Sequence, residues 1–238
     1  MNRVKTGIIG FDPLVDGGLV RGSTTLVSGR TGTGKTVFGL QFLYYGAVKY
    51  DEPGVYVTLE TLPGLLRTQA KGFGWDLKTL ENDGKIVIID AASSKAGLGT
   101  SERIALKRGF DMTTLAEEIY RAVDEYGAKR LVIDCLSGLG LRFSEPSEVR
   151  RELHRISSLL NEMEVTSIFL SEALGTNGQS RADVEQFITQ GLVVLSLAEQ
   201  DGELQRSLLV WKMEGTSHSM KRHPFEISQK GLRILKDT

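Results

Sequence analysis

Gly29-Arg30-Thr31-Gly32-Thr33-Gly34-Lys35-Thr36 decides how the rest of the chain reads. It fits G-x-x-x-x-G-K-[ST], the pattern of a phosphate-binding loop. Before it, Thr24-Thr25-Leu26-Val27-Ser28 is a β-branched and apolar run that reads as a buried strand. After it, Val37 to Tyr50 lacks proline, and Phe38, Leu40, Phe42, Leu43 and Ala47 suit a packed helix. Strand, glycine-rich turn and helix are the context the motif needs. The glycines at 29, 32 and 34 let successive backbone N–H groups converge on the phosphates of a nucleotide. The helix start near Lys35 adds unpaired N–H groups and the positive end of a dipole. Lys35 brings a charge for the outer phosphates and the Thr36 hydroxyl can ligate Mg²⁺. Thr31, Thr33 and Val37 complete the stretch expected to line the nucleotide.

Working outward, strands alternate with helices. Val55–Leu59, Ile86–Asp90, Leu131–Asp134 and Ser167–Leu170 are short apolar runs. Helical spacing is expected between Leu62 and Phe73, over Thr113–Tyr126 with Gly127 as cap, and over Ser147–Met163. This alternation predicts parallel crossovers and a sheet covered on both faces. The pattern then changes. Leu192–Leu197, the turn Asp201-Gly202 and Leu204–Met213 read as a hairpin, and Pro224–Ile227 and Leu232–Leu235 add two strands. The fold expected is therefore α/β, a mostly parallel sheet flanked by helices with a C-terminal antiparallel extension. No linker long enough to separate domains is evident, so one domain over 1–238 is expected. Ser93–Gly109 reads as a loop, and Trp75 as a core anchor.

Bulk properties narrow the function. The 238 residues are 40% hydrophobic and 25% charged, as in ordinary soluble proteins, and can bury a sizeable core. A net charge of −1 gives no bulk electrostatic reason for nucleic-acid binding. No stretch approaches the roughly 20 apolar residues of a membrane span. No signal peptide is evident, and a cytoplasmic location is expected. The single cysteine, Cys135, precludes an internal disulfide and reads as a small buried hydrophobe. The three histidines have no metal-binding spacing.

Hydrolysis asks more than a phosphate loop. It needs a carboxylate to organise Mg²⁺ and a group to position water. Asp134 closes a buried strand and is expected beside the loop as the metal carboxylate. Glu60 ends a neighbouring strand, at the carboxyl ends where open parallel sheets bind ligands.

Several further segments resemble one family. Phe11-Asp12…Gly17-Gly18-Leu19, the phosphate loop, Asp51-Glu52-Pro53-Gly54-Val55-Tyr56-Val57-Thr58-Leu59-Glu60 and Phe73-Gly74-Trp75-Asp76-Leu77 look like the ATPase domain of KaiC. So do Arg150-Arg151-Glu152-Leu153, Arg181…Val184-Glu185-Gln186-Phe187 and the tail Lys212-Met213-Glu214-Gly215-Thr216-Ser217-His218…Pro224-Phe225-Glu226-Ile227. The resemblance runs nearly end to end, and the tail is more specific than the loop. It implies a RecA-like ATPase that binds ATP and Mg²⁺ in a ring, commonly a homohexamer, with nucleotide at each subunit interface. Glu60 is then the catalytic carboxylate, assisted by Lys35. Lys212, Thr216 and His218 reach the nucleotide of the adjacent subunit, with Lys212 acting in trans like an arginine finger.

Three departures qualify the resemblance. The second glutamate usual after the first is Thr61 here, and the usual arginine of Lys-x-Arg is Glu214. Both changes remove features that favour turnover, so slow hydrolysis suited to a switch is expected. Glu214 is expected either to turn away from phosphate or to supply a carboxylate in trans. Where the self-phosphorylating half of KaiC carries Ser and Thr, this chain has Gln186 and Phe187, so autokinase activity there is not expected. Two rival readings share the motif. One is a RecA/RadA-type DNA-binding accessory ATPase, for which the loops 137–146 and 173–183 offer little beyond Arg142, Phe143 and Arg181. The other is a nucleotide-gated scaffold that recruits a protein partner without significant turnover.

Overall fold

The computed structural model describes residues 2–106, 111–137, 146–172 and 188–235, with 146–149 as backbone alone. Arg142, Phe143, Arg181, Val184, Glu185, Gln186 and Phe187 lie outside the described residues.

The chain begins with β1 (Arg3–Val4), a 3-10 turn (Asp12–Val15) and β2 (Leu19–Val20), which pairs with β1 as a small antiparallel ribbon. Strand β3 (Thr24–Gly29) follows and is buried along its whole length. It leads through the glycine-rich turn into α1 (Lys35–Lys49). Next come β4 (Gly54–Thr58), α2 (Pro63–Gly72), α3 (Leu77–Asn82) and β5 (Ile86–Asp90). Helix α3 has no counterpart in the sequence reading. At six residues it is too short for a helical period, and its local signal is Asp76, whose carboxylate accepts from the Thr79 amide at 3.2 Å.

The stretch read as a plain loop after Asp90 is corrected at both ends. It contains the helical turn α4 (Ala92–Lys95) and strand β6 (Ile104–Ala105), paired with the edge of β5. Arg67 of α2 ties the intervening segment down. It donates to Glu81 at 2.9 Å and to Glu102 at 2.6 Å. Then follow α5 (Met112–Tyr126), β7 (Arg130–Asp134), α6 (Pro146–Glu162) and β8 (Thr166–Glu172). The Asp111 carboxylate caps α5 by accepting from the Thr114 amide at 2.8 Å, and Gly127 ends it in a left-handed conformation. The chain closes with β9 (Gly191–Gln200), β10 (Glu203–Met213), β11 (Arg222–Ser228) and β12 (Gly231–Ile234).

Ten strands form one sheet in the order β12-β11-β10-β9-β3-β8-β7-β4-β5-β6. From β9 to β6 every pairing is parallel, and β9 through β12 pair antiparallel, as the sequence pattern predicts. Two cores lie against the sheet. One joins α1, α2 and α3 with Trp75 and the inner face of β10–β12, and the other joins α5 and α6. Trp75 is buried as expected, stacked with Phe73 at 4.9 Å and Tyr44 at 5.5 Å between ring centroids.

One buried charge anchors the start of β7. The Arg130 side chain has no exposed surface and donates to Glu52 at 2.6 and 2.8 Å. It also donates to the Phe42 carbonyl at 2.9 Å and lies over the Phe42 ring. Glu52 accepts from Arg21 as well, at 2.8 Å, so three segments meet on one carboxylate.

Candidate nucleotide site

The phosphate loop rises from the carboxyl end of β3, where Gly29 stands in register with Glu172 of β8 and Leu195 of β9. Gly34 caps α1 with φ +101°, a conformation L side chains rarely adopt. A methyl there would also fall 2.6 Å from the Ile227 Cδ1, so the C-terminal strands pack directly on the loop. Within the loop, Lys35 Nζ donates to the Gly29 carbonyl at 2.7 Å and to the Arg30 carbonyl at 3.1 Å. Thr33 Oγ1 donates to the Arg30 carbonyl at 2.7 Å. Val37 is the third residue of the helix, partly buried against the core.

Asp134 ends β7, but β7 is not adjacent to β3, because β8 lies between them. The Asp134 carboxylate nevertheless reaches the loop, as expected. The contact is made by α1 instead. Its first turn carries Thr36, whose hydroxyl donates to Asp134 Oδ2 at 2.8 Å. Tyr56, from the middle of β4, donates to the same oxygen at 2.6 Å. Burial pushes the Asp134 carboxyl up, against the bonds from Tyr56 and Thr36 and the nearby Lys35 ammonium. The Tyr56 phenol is held well above its usual range by burial and by the Asp134 charge. The Asp134–Cys135 peptide is cis. Cys135 is buried as expected, its thiol pushed up to about 11 by desolvation, which makes it a poor nucleophile.

Glu60 lies two residues beyond β4 on the same carboxyl edge. Partial burial raises its carboxyl, Lys95 opposes the rise, and the like charges of Asp134 and Glu172 add to it. Lys95 comes from α4, inside the stretch read as a loop, and its Nζ reaches the Leu59 carbonyl at 3.5 Å. Glu172 was also missed. It ends β8 as Asp134 ends β7, accepts from the Thr31 hydroxyl at 2.8 Å, and its amide donates to Ser137 Oγ at 2.8 Å. A carboxylate closing a buried strand was the available signal. For Tyr56 there was none, because nothing local aims a tyrosine of an apolar strand at a carboxylate on the next strand.

Lys212, Thr216 and His218 gather at the opposite edge. Strand β10 runs antiparallel to β9, so Lys212 stands opposite Leu192, which pairs with Leu26 near the beginning of β3. The Glu214 amide donates to the Gln190 carbonyl, and the Gln190 amide to that of Thr24. Their bonds lie on that edge too. Thr216 Oγ1 accepts from Arg3 at 2.6 Å, and His218 Nδ1 is 3.2 Å from the Ser219 carbonyl. The Glu214 carboxylate lies 3.0 Å from Lys212 Nζ as an ion pair.

A groove of about 800 Å³ between α5 and α6 is lined by Tyr120, His154 and Leu159 and holds none of these residues. No helix among the described residues is long and apolar enough to cross a membrane.

With this geometry in hand, the family model for "ATPase: KaiC" matches residues 4–238. The chain belongs to the KaiC ATPase family. It is 40% identical over 239 residues to a UPF0273 protein of Methanocaldococcus jannaschii, covering 100% of this chain and 98% of that one. KaiC of Synechococcus elongatus, the circadian clock oscillator protein, is 38% identical over 234 residues; the match covers 98% of this chain and 44% of the larger protein. The crystal structure of a KaiC-like protein from Pyrococcus horikoshii superposes with a TM-score of 0.84 at 41% identity, covering 99% of both chains. The fold is thus KaiC/RecA-like, mostly parallel with antiparallel C-terminal strands.

The donor set fits a hard cation on a triphosphate. Thr36 and Asp134 offer oxygen only, and among the described residues no three His, Cys, Asp or Glu side chains are grouped to hold a metal unaided. Mg²⁺ bound through one carboxylate, a hydroxyl, waters and phosphate needs no more than that.

Proposed function

We propose that the chain binds ATP with Mg²⁺ in its phosphate loop, hydrolyses it slowly, and works as a homo-oligomeric switch read by a protein partner. The observation that carries this reading is the 2.8 Å bond from the Thr36 hydroxyl to the Asp134 carboxylate, one residue along the chain from Lys35. In this reading the phosphates rest on the amides of Gly29 to Val37, and Lys35 exchanges its bonds to the Gly29 and Arg30 carbonyls for the outer phosphates. Thr36 and Asp134 would hold the metal, with Tyr56 fixing the Asp134 rotamer. What Mg²⁺ supplies when bound is neutralisation of phosphate charge. Glu60 orients the attacking water and takes its proton, and its raised carboxyl makes it a better base than an ordinary glutamate.

Lys212, Thr216 and His218 lie near the opposite end of the strands from the chain's own loop, so any nucleotide they touch belongs to another copy. This favours a ring, expected to be a homohexamer, in which turnover depends on assembly. The Lys212–Glu214 ion pair favours slow turnover, and it also lends weight to a second reading, a scaffold gated by nucleotide alone. No clock role is proposed, because the chain corresponds to less than half of KaiC. The test is particle mass, ATP binding and ATP turnover measured together, with and without Mg²⁺, on the parent and on Lys35→Ala. Magnesium-dependent binding lost in Lys35→Ala is expected; equal binding by both would refute the site. Single-turnover hydrolysis of labelled ATP separates the switch from the scaffold.

A further inference from the structure

We propose that Arg206 is a ligand for the phosphate chain, supplied by the same subunit that carries the phosphate loop. This rests on the ATP-binding reading above and adds a residue that neither the motif nor the family resemblance singled out. Arg206 lies near the beginning of β10, opposite Leu197 of β9 and Phe225 of β11. Leu195 of β9 is level with Gly29, so Arg206 stands beside the carboxyl end of β3. One guanidinium nitrogen donates to the Gly32 carbonyl, at the crown of the loop, at 3.3 Å. That bond is long and its acceptor neutral. Among the described residues no carboxylate pairs with Arg206, and its Nε is buried with no hydrogen-bond partner. A half-buried guanidinium with an orphaned N–H at a phosphate loop lacks the anion its donors are shaped for.

The register gives β10 two cations with different duties. Arg206 is at the end nearest its own phosphate loop. Lys212, six residues on and about 20 Å away along an extended strand, is at the end that faces away from that loop. One strand then joins the nucleotide held in cis to the one met in trans. The Arg206 end is fixed by its strand pairings and by Ile227 packing on Gly34, so only a side-chain rotation is needed to bring the guanidinium from the Gly32 carbonyl to phosphate.

The experiment titrates ATP and inorganic tripolyphosphate, with Mg²⁺, into the parent, Arg206→Lys, Arg206→Gln and Lys35→Ala, and records ligand-free melting of each. Loss of a charge-assisted bond predicts about tenfold or weaker binding of both ligands by Arg206→Gln. Arg206→Lys keeps most of the affinity, and melting is little changed in either. A merely structural brace on Gly32 predicts unchanged affinity in Arg206→Gln, because glutamine can still donate to that carbonyl, and that outcome overturns the proposal. Weaker ATP with unchanged tripolyphosphate overturns the phosphate assignment. Parent binding that is lost in Lys35→Ala but kept in Arg206→Gln refutes this inference alone. Binding indifferent to Lys35→Ala refutes the underlying site and this inference with it.

Discussion

Reversing the charge at Glu214 tests the idea that the chain restrains its own trans lysine. Glu214 Oε1 lies 3.0 Å from Lys212 Nζ, with the two side chains 60% and 35% exposed. An ion pair this open is worth about 0–1 kcal/mol, so Glu214→Gln weakens the hold on Lys212 by at most about fivefold. Arginine does more. A charge about 6 Å from a phosphate interacts by about 3 kcal/mol at an effective dielectric near 20, and Glu214→Arg turns that repulsion into attraction. Solvent at so exposed a position removes most of this, leaving about 1.4 kcal/mol, or roughly tenfold in rate. The assay is steady-state ATP turnover per subunit in preparations whose oligomeric mass is confirmed. Glu214→Gln is expected between the parent and Glu214→Arg. An arginine variant that assembles and turns over no faster than the parent would show that the ion pair restrains nothing.

Three further outcomes follow from the geometry. Glu52→Gln leaves the wholly buried Arg130 guanidinium without its counter-charge and should cost about 3–5 kcal/mol in urea unfolding. Burial pushes the Glu52 carboxyl up, but the bonds from Arg21 and Arg130 leave it below its ordinary 4.5. Its stabilisation is therefore present above that value and lost as pH falls through the lowered one, a loss Glu52→Gln should not show. Glu60 has the opposite sign: a base with a raised carboxyl predicts that turnover falls on acidification at a pH above 4.5, while Glu60→Gln binds ATP but loses hydrolysis. Gly34→Ala meets both an unfavourable φ of +101° and the Ile227 side chain, and calorimetric titration should find ATP binding lost in a protein that still melts cooperatively.

Much of the architecture was legible locally. Apolar runs bounded by turns marked nearly all the sheet's strands, and the change from α/β alternation to a hairpin marked where the sheet turns antiparallel. What escaped had no periodic signal. Helix α3 is announced only by Asp76, and β6 is two residues at an edge. At the site, Lys35, Thr36 and the strand-ending carboxylates carry chemistry in their spacing, whereas Tyr56 and Lys95 become site residues only through pairing and packing.

The sequence by itself determined the phosphate loop, its flanking strand and helix, and the family, because those depend on residues near one another in the chain or on a pattern spread over its whole length. Only the tertiary structure decided that β8 separates the loop strand from Asp134, and that Thr36 nevertheless reaches that carboxylate. Tertiary structure alone also aimed Arg206 at the loop that begins 177 residues earlier at Gly29 and Lys212 away from it. The physical reason is strand register: hydrogen bonding between distant segments sets which end of β10 lies beside β3's carboxyl edge, and no local preference of the chain encodes that distance.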